Sequence, residues 1–194
     1  KVTALAANRV PVVITCETDY PFSETIEISV QPAREAAFPL YFRIPGWCTA
    51  PVLDVNGSAV AVQRNPRGFA RVERTWKPGD TVRLHLPMTP SLWTGRDATQ
   101  SASYDGAHRA TAVTIPEEDS TRGVPYASVS YGPLLFALPI PETTDANTPD
   151  PSARWKFALD VQDPNLTVER AAMPAKWDWP LAAPLKLQAN AVEV

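Results

Sequence analysis

GFARVERTWKPGDTVRLHLPM, residues 68–88, decides the fold, because two alternating runs flank four residues with strong turn chemistry. In Lys77-Pro78-Gly79-Asp80 the proline has its φ already near the turn value, and the glycine behind it accepts positive φ without steric cost. A type II turn is predicted. On the incoming arm Ala70, Val72 and Trp76 share one face; on the outgoing arm Val82, Leu84 and Leu86 share another, with Arg71, Glu73, Arg83 and His85 opposite. The simplest reading is a β-hairpin with one dry and one wet face. Two strands bury too little to stand alone in water, so a second layer must cover the dry face.

The rest of the chain reads outward from this unit. The 194 residues hold 21 prolines and 8 glycines, which disfavours long helices and predicts many short strands ended by turns. A domain of this length buries about 70% of its unfolded surface and needs no covalent staples. With 18 basic and 21 acidic residues the formal charge is −3, so nucleic acid and anionic membrane surfaces are not expected partners. No apolar run approaches the roughly 20 residues of a bilayer span, and residues 1–30 lack the regions of a signal peptide. The first residue is Lys1, which is expected to mark the edge of a longer protein and leaves the compartment unassigned.

Residues 10–18 (VPVVITCET) and 25–30 (TIEISV) read as strands, joined by a turn at Asp19-Tyr20-Pro21-Phe22. Residues 31–38 read as a connector. Leu40, Phe42 and Ile44 point inward and Tyr41 and Arg43 outward, before a sharp exit at Pro45-Gly46. Residues 52–55 and 59–63 flank Asn56-Gly57, the strongest two-residue hairpin signal. Residues 89–107 show no clean periodicity and read as a long loop or insertion. Residues 109–115 and 126–130 read as strands, and 134–140 (LLFALPI) as an apolar strand of the central kind. Residues 141–152 (PETTDANTPDPS) form a mobile, proline-rich boundary loop. Residues 155–161 and 166–169 make one more expected pair, and 185–194 a last strand.

The chemistry-bearing residues are sparse. Cys16 and Cys48, and His85 and His108, are too widely spaced for a metal site, and both cysteines read as small buried hydrophobes. Asp97, Asp105, Glu117, Glu118 and Asp119 could supply the paired carboxyls of glycosidic hydrolysis, but as loop acids they read more simply as solvated. No nucleophile elbow and no glycine-rich phosphate loop is present. Of the six tryptophans, Trp76 faces the core by pattern; Trp47, Trp93, Trp177 and Trp179 sit near turns or loops, as sugar platforms, domain-interface residues or core edges.

LYFRIPGW at 40–47, VNG at 55–57, GFARVERTWKPGD at 68–80, LHLPM at 84–88 and SYGPLLFAL at 130–138, with TDYPF at 18–22 upstream, follow one order. That order resembles the C-terminal β-sandwich region of glycoside hydrolase family 127, the bacterial β-L-arabinofuranosidases and their relatives. The resemblance spans roughly residues 12–140. It implies a catalytic N-terminal (α/α)6 barrel in the same protein, where a cysteine thiolate nucleophile sits at a zinc site formed with further cysteines and a glutamate. None of those residues matches a position here, so no catalytic residue and no zinc ligand is carried over, and zinc belongs to the barrel.

The expectation is therefore an all-β chain: a jelly-roll-like antiparallel β-sandwich, part of a larger (α/α)6-barrel enzyme. Residues 1–140 form the sandwich, 141–152 the loop, and 153–194 the strands that complete or flank it. The expected role is that of a noncatalytic accessory domain in carbohydrate metabolism, supporting the barrel of a hydrolase of plant-type glycans. The alternatives are a carbohydrate-binding module using Trp47, Trp93, Trp177 and Trp179, and a stand-alone hydrolase.

Overall fold

The computed structural model describes residues 1–97, 103–104, 110–111, 124–139, 154, 157–174 and 183–193. It resolves into two compact units, one of Lys1–Thr89, Gly132–Leu134 and Arg170–Lys186, the other of Pro90–Tyr131, Leu135–Glu169 and Leu187–Val194. The fold is all-β and antiparallel; the one helical turn among the described residues is a 3₁₀ turn, Ala7–Arg9. Among the described residues no helix is long and apolar enough to cross a membrane.

The first unit holds strands β1 (Val2–Leu5), β2 (Pro11–Glu17), β3 (Thr25–Pro32), β4 (Ala36–Arg43), β5 (Val52–Val55), β6 (Ser58–Val60), β7 (Phe69–Trp76) and β8 (Asp80–His85). Six of them form one sheet in the order β1-β2-β3-β8-β5-β6, and β4 pairs with β7 in a second. Val12, Val30, Leu53, Val55, Val82 and Leu84 from the larger sheet pack in one cluster with Phe38, Phe42, Ala70, Val72 and Trp76 from the smaller. That shared core is the sandwich: each sheet supplies the cover that the other needs.

The pivotal stretch is corrected by this topology. β7 and β8 carry the predicted inward faces, yet they are not a hairpin. β7 pairs along its whole length with β4, from Ala36↔Trp76 to Arg43↔Phe69, while β8 lies between β3 and β5. The turn therefore carries the chain from one layer to the other. Its local geometry is as predicted: Gly79 has φ +92°, and the Asp80 amide donates to the Lys77 carbonyl at 3.1 Å. Alternation specifies which face turns inward, and two strands in facing sheets show the same alternation as two neighbours in one sheet.

Asp80 locks the crossing. It is only 6% exposed and accepts hydrogen bonds from the Lys77 amide at 2.9 Å and from Asn56 Nδ2 at 2.8 Å, with the Arg74 guanidinium at 3.7 Å. Burial pushes its carboxyl pKa up, but the Lys77 and Asn56 hydrogen bonds and the Arg74 and Lys77 charges outweigh burial and hold it below the ordinary value. Asn56 is held in turn: it lies at φ +52° beside Gly57 at +77°, the signature of the predicted two-residue hairpin between β5 and β6, and its Oδ1 accepts from the Thr81 amide at 2.8 Å.

Other expectations shift. β3 and β4 leave only residues 33–35 as the connector, so 31–38 is mostly strand. Pro39 lies inside β4, tolerated because a two-stranded sheet consists of edges. β1 was not foreseen; all four of its residues are exposed, so it carries no alternation to read.

The remaining strands are β9 (Pro90–Asp97), β10 (Ser103–Tyr104), β11 (Ala110–Thr111), β12 (Val124–Tyr131), β13 (Leu134–Phe136), β14 (Phe157–Leu159), β15 (Thr167–Arg170), β16 (Leu185–Gln188) and β17 (Ala191–Glu193). The start of the expected 89–107 loop is thus a full strand, paired with β12 from Pro90↔Tyr131 to Asp97↔Val124. The apolar run at 134–140 is no central strand: β13 is short and lies at the edge of the sheet β13-β12-β9, leaving Leu135 72% and Leu138 52% exposed. β14 pairs with β17 and β15 with β16, not with each other, so the expected last strand is two. The boundary loop at 141–152 lies outside the described residues.

Candidate functional site

Among the residues singled out as sugar platforms, Trp47 is half-buried and packs against the core of the first unit. Trp93, on β9, is 62% exposed and donates from Nε1 to Ser130 Oγ at 2.9 Å, a bond that fixes the indole along the sheet. Trp177 and Trp179 lie outside the described residues. Among the described residues, neither Trp47 nor Trp93 lines either of the clefts described below.

Of the two cysteines, Cys48 is buried and its thiol pKa is pushed up by that burial, whereas Cys16 is exposed, which corrects its reading as a buried hydrophobe. Its place near the end of β2 puts it beyond the buried part of that strand. Among the described residues no group of three or more His, Cys, Asp or Glu side chains gathers as a metal site. The loop acids Asp105, Glu117, Glu118 and Asp119 and His108 lie outside the described residues, as does the side chain of Asp97.

His85 belongs to a polar cluster at the end of β8. Its Nδ1 lies 3.3 Å from Thr25 Oγ1 and its Nε2 3.7 Å from Glu24, whose carboxylate also pairs with Arg170 at 3.2 Å. Arg170 further donates to the Phe22 carbonyl at 2.9 Å. Within the first unit the cluster ties the loop before β3 to Arg170, far away in sequence.

Two clefts are defined. In the second unit a groove of about 1230 Å³ is lined by β12, β13, β14 and the segment around β17, with Tyr126, Leu135, Leu138, Phe157 and Val161 presenting apolar surface. In the first unit a shallower cleft of about 590 Å³ is lined by Tyr41, Asn65, Pro66, Arg67 and Phe69. Sequence reasoning passed over it, although an outward Tyr41 beside an outward Arg43 was a signal. The Asn65 side chain builds its rim by accepting from the Arg67 and Phe69 amides, both at 3.0 Å.

The fold of the first unit is an antiparallel β-sandwich. Residues 2–88 match the family model described as the middle domain of GH127 beta-L-arabinofuranosidases. Three solved structures are similar. A GH127 beta-L-arabinofuranosidase from Geobacillus stearothermophilus T6 shares 20% identity over 98% of this chain and 28% of its own, with a TM-score of 0.54. A glycoside hydrolase shares 29% identity over 69% of this chain and 19% of its own, at TM-score 0.49. A GH127 beta-arabinofuranosidase shares 24% identity over 69% and 20%, at 0.47. No curated protein matches the chain. The chain thus spans between about a fifth and about a quarter of the length of these solved structures.

Proposed function

We propose that this chain is the noncatalytic β-sandwich part of a bacterial glycoside hydrolase of the β-L-arabinofuranosidase type, acting on plant-type glycans. In this reading it follows an N-terminal (α/α)6 barrel and supports it, and the thiolate nucleophile and zinc of the reaction belong to that barrel. The observation that carries the reading is that the residues matching the GH127 middle-domain model, 2–88, are those that build the sandwich core. The apolar groove around Leu135 and Leu138 adds a surface suited to packing against other parts of a larger chain.

The test compares the parent enzyme with a version lacking this region, and with the 194-residue chain alone. The parent is expected to release L-arabinose from nitrophenyl β-L-arabinofuranoside, the deletion to melt earlier and lose turnover, and the isolated chain to be inert. Chelator-resistant release by the isolated chain would overturn the noncatalytic role. Unchanged melting and turnover in the deletion would overturn the supporting one.

A further inference from the structure

We propose that the cleft between β4 and the turn before β7 binds an acidic saccharide, a sugar ring carrying a carboxylate. This stands on the cleft alone and does not depend on the supporting role proposed above. Three ring systems face it: Tyr41, which is 54% exposed, Phe69 and Pro66. The exposed aromatic face of Tyr41, flanked by the apolar edges of Phe69 and Pro66, suits the apolar C–H face of a sugar.

The charges around the rings are arranged for an anion. Arg67 lines the cleft, and its guanidinium makes no ion pair or hydrogen bond among the described residues. Arg43 stands 5.4 Å over the Phe69 ring and donates to the Arg67 carbonyl at 2.6 Å, so its charge too meets no carboxylate. Arg71 is different: it pairs with Glu73 at 2.5 Å. Glu73 therefore balances its charge, leaving Arg67 and Arg43 as the cations for the cleft. Two uncompensated guanidiniums beside an aromatic platform suit a carboxylate and a sugar ring held together, since the planar fork of arginine takes a carboxylate through two parallel hydrogen bonds.

Calorimetric titration of the 194-residue chain with trigalacturonate and, separately, with a neutral arabinotriose tests this. Trigalacturonate is expected to bind and to weaken as salt rises, and the neutral sugar to bind at least about tenfold more weakly. Arg67→Ala should cost about tenfold for the acidic sugar, Arg67→Lys less, and Tyr41→Ala should weaken both sugars. Circular dichroism of each variant separates lost binding from lost folding, and both positions are at the surface. Absence of binding by trigalacturonate, equal binding of the two sugars, or an Arg67→Ala variant that binds trigalacturonate as well as the parent chain would each overturn the proposal.

Discussion

Trp76 and Phe38 are joined twice: the indole Nε1 donates to the Phe38 carbonyl at 2.9 Å, and the two rings lie 6.1 Å apart, tilted by 31°. Trp76 is fully buried, so this pair couples the end of β7 to the start of β4 at the centre of the core. Trp76→Ala is expected to cost about 3 to 5 kcal/mol, through lost burial and the cavity left behind. Trp76→Phe should cost about 1 to 3 kcal/mol, because it keeps much of the ring but strips a buried carbonyl of its donor. Urea melts that ranked the two variants equal would show that the hydrogen bond is energetically silent.

Asp80 makes stability depend on pH in a defined direction. Its folded pKa lies below the unfolded one, so its contribution is complete above the unfolded value near 4 and is lost as pH falls through the folded value. Asp80→Asn should cost about 2 kcal/mol at pH 7, since the new amide meets Asn56 Nδ2 donor to donor. The gap between the two proteins should close below about pH 4. A gap that stays constant from pH 7 to pH 3 would remove the carboxylate from the explanation.

Gly79 isolates backbone strain from crowding, because a Cβ built there meets nothing within 4 Å. At φ +92°, Gly79→Val should still cost about 1 to 3 kcal/mol and Gly79→Asn less, since asparagine tolerates positive φ. Lys77→Ala should stay within about 0.5 kcal/mol, because the pair of Lys77 with Glu35 at 3.4 Å is exposed. Thermal melts that place Lys77→Ala below Gly79→Val would contradict this order.

Asn56 combines positive φ with a side chain that bonds Asp80 and Thr81. Asn56→Gly keeps the turn and loses the bonds, at about 1 to 2 kcal/mol; Asn56→Ala loses both and should cost about 1 kcal/mol more. If Ala proves the milder change, the turn conformation is not what selects asparagine.

What could be read from the residues was local: the Lys77–Asp80 turn, the Asn56-Gly57 hairpin, and the inward faces of Val72, Trp76, Val82 and Leu84. Each depends on chemistry within a few positions. Pairing partners were not readable, because the preference of β7 for β4 over β8 arises from the facing layers and not from its own alternation. β9 escaped notice for a related reason: Trp93 and Thr94 are exposed on consecutive positions, and Gly95 has no side chain to pattern. At the surface, the resemblance and the tryptophans pointed to loops, whereas the Tyr41–Arg67 cleft joins an exposed strand residue to a turn distant in sequence; the bond of Arg43 to the Arg67 carbonyl there spans 24 positions.

The two-layer crossing at Lys77–Asp80 also governs when the fold can begin. β3 finds its partner in β8, with Thr25 and His85 separated by 60 positions, and the bond of Trp76 to Phe38 spans 38. While the chain emerges from a ribosome, β3 must wait with one edge unsatisfied until residue 85 has cleared the exit tunnel. Neither layer can then close without the other. The nascent polypeptide accordingly passes through an interval of open strand edges, during which slow, nonlocal assembly competes with aggregation.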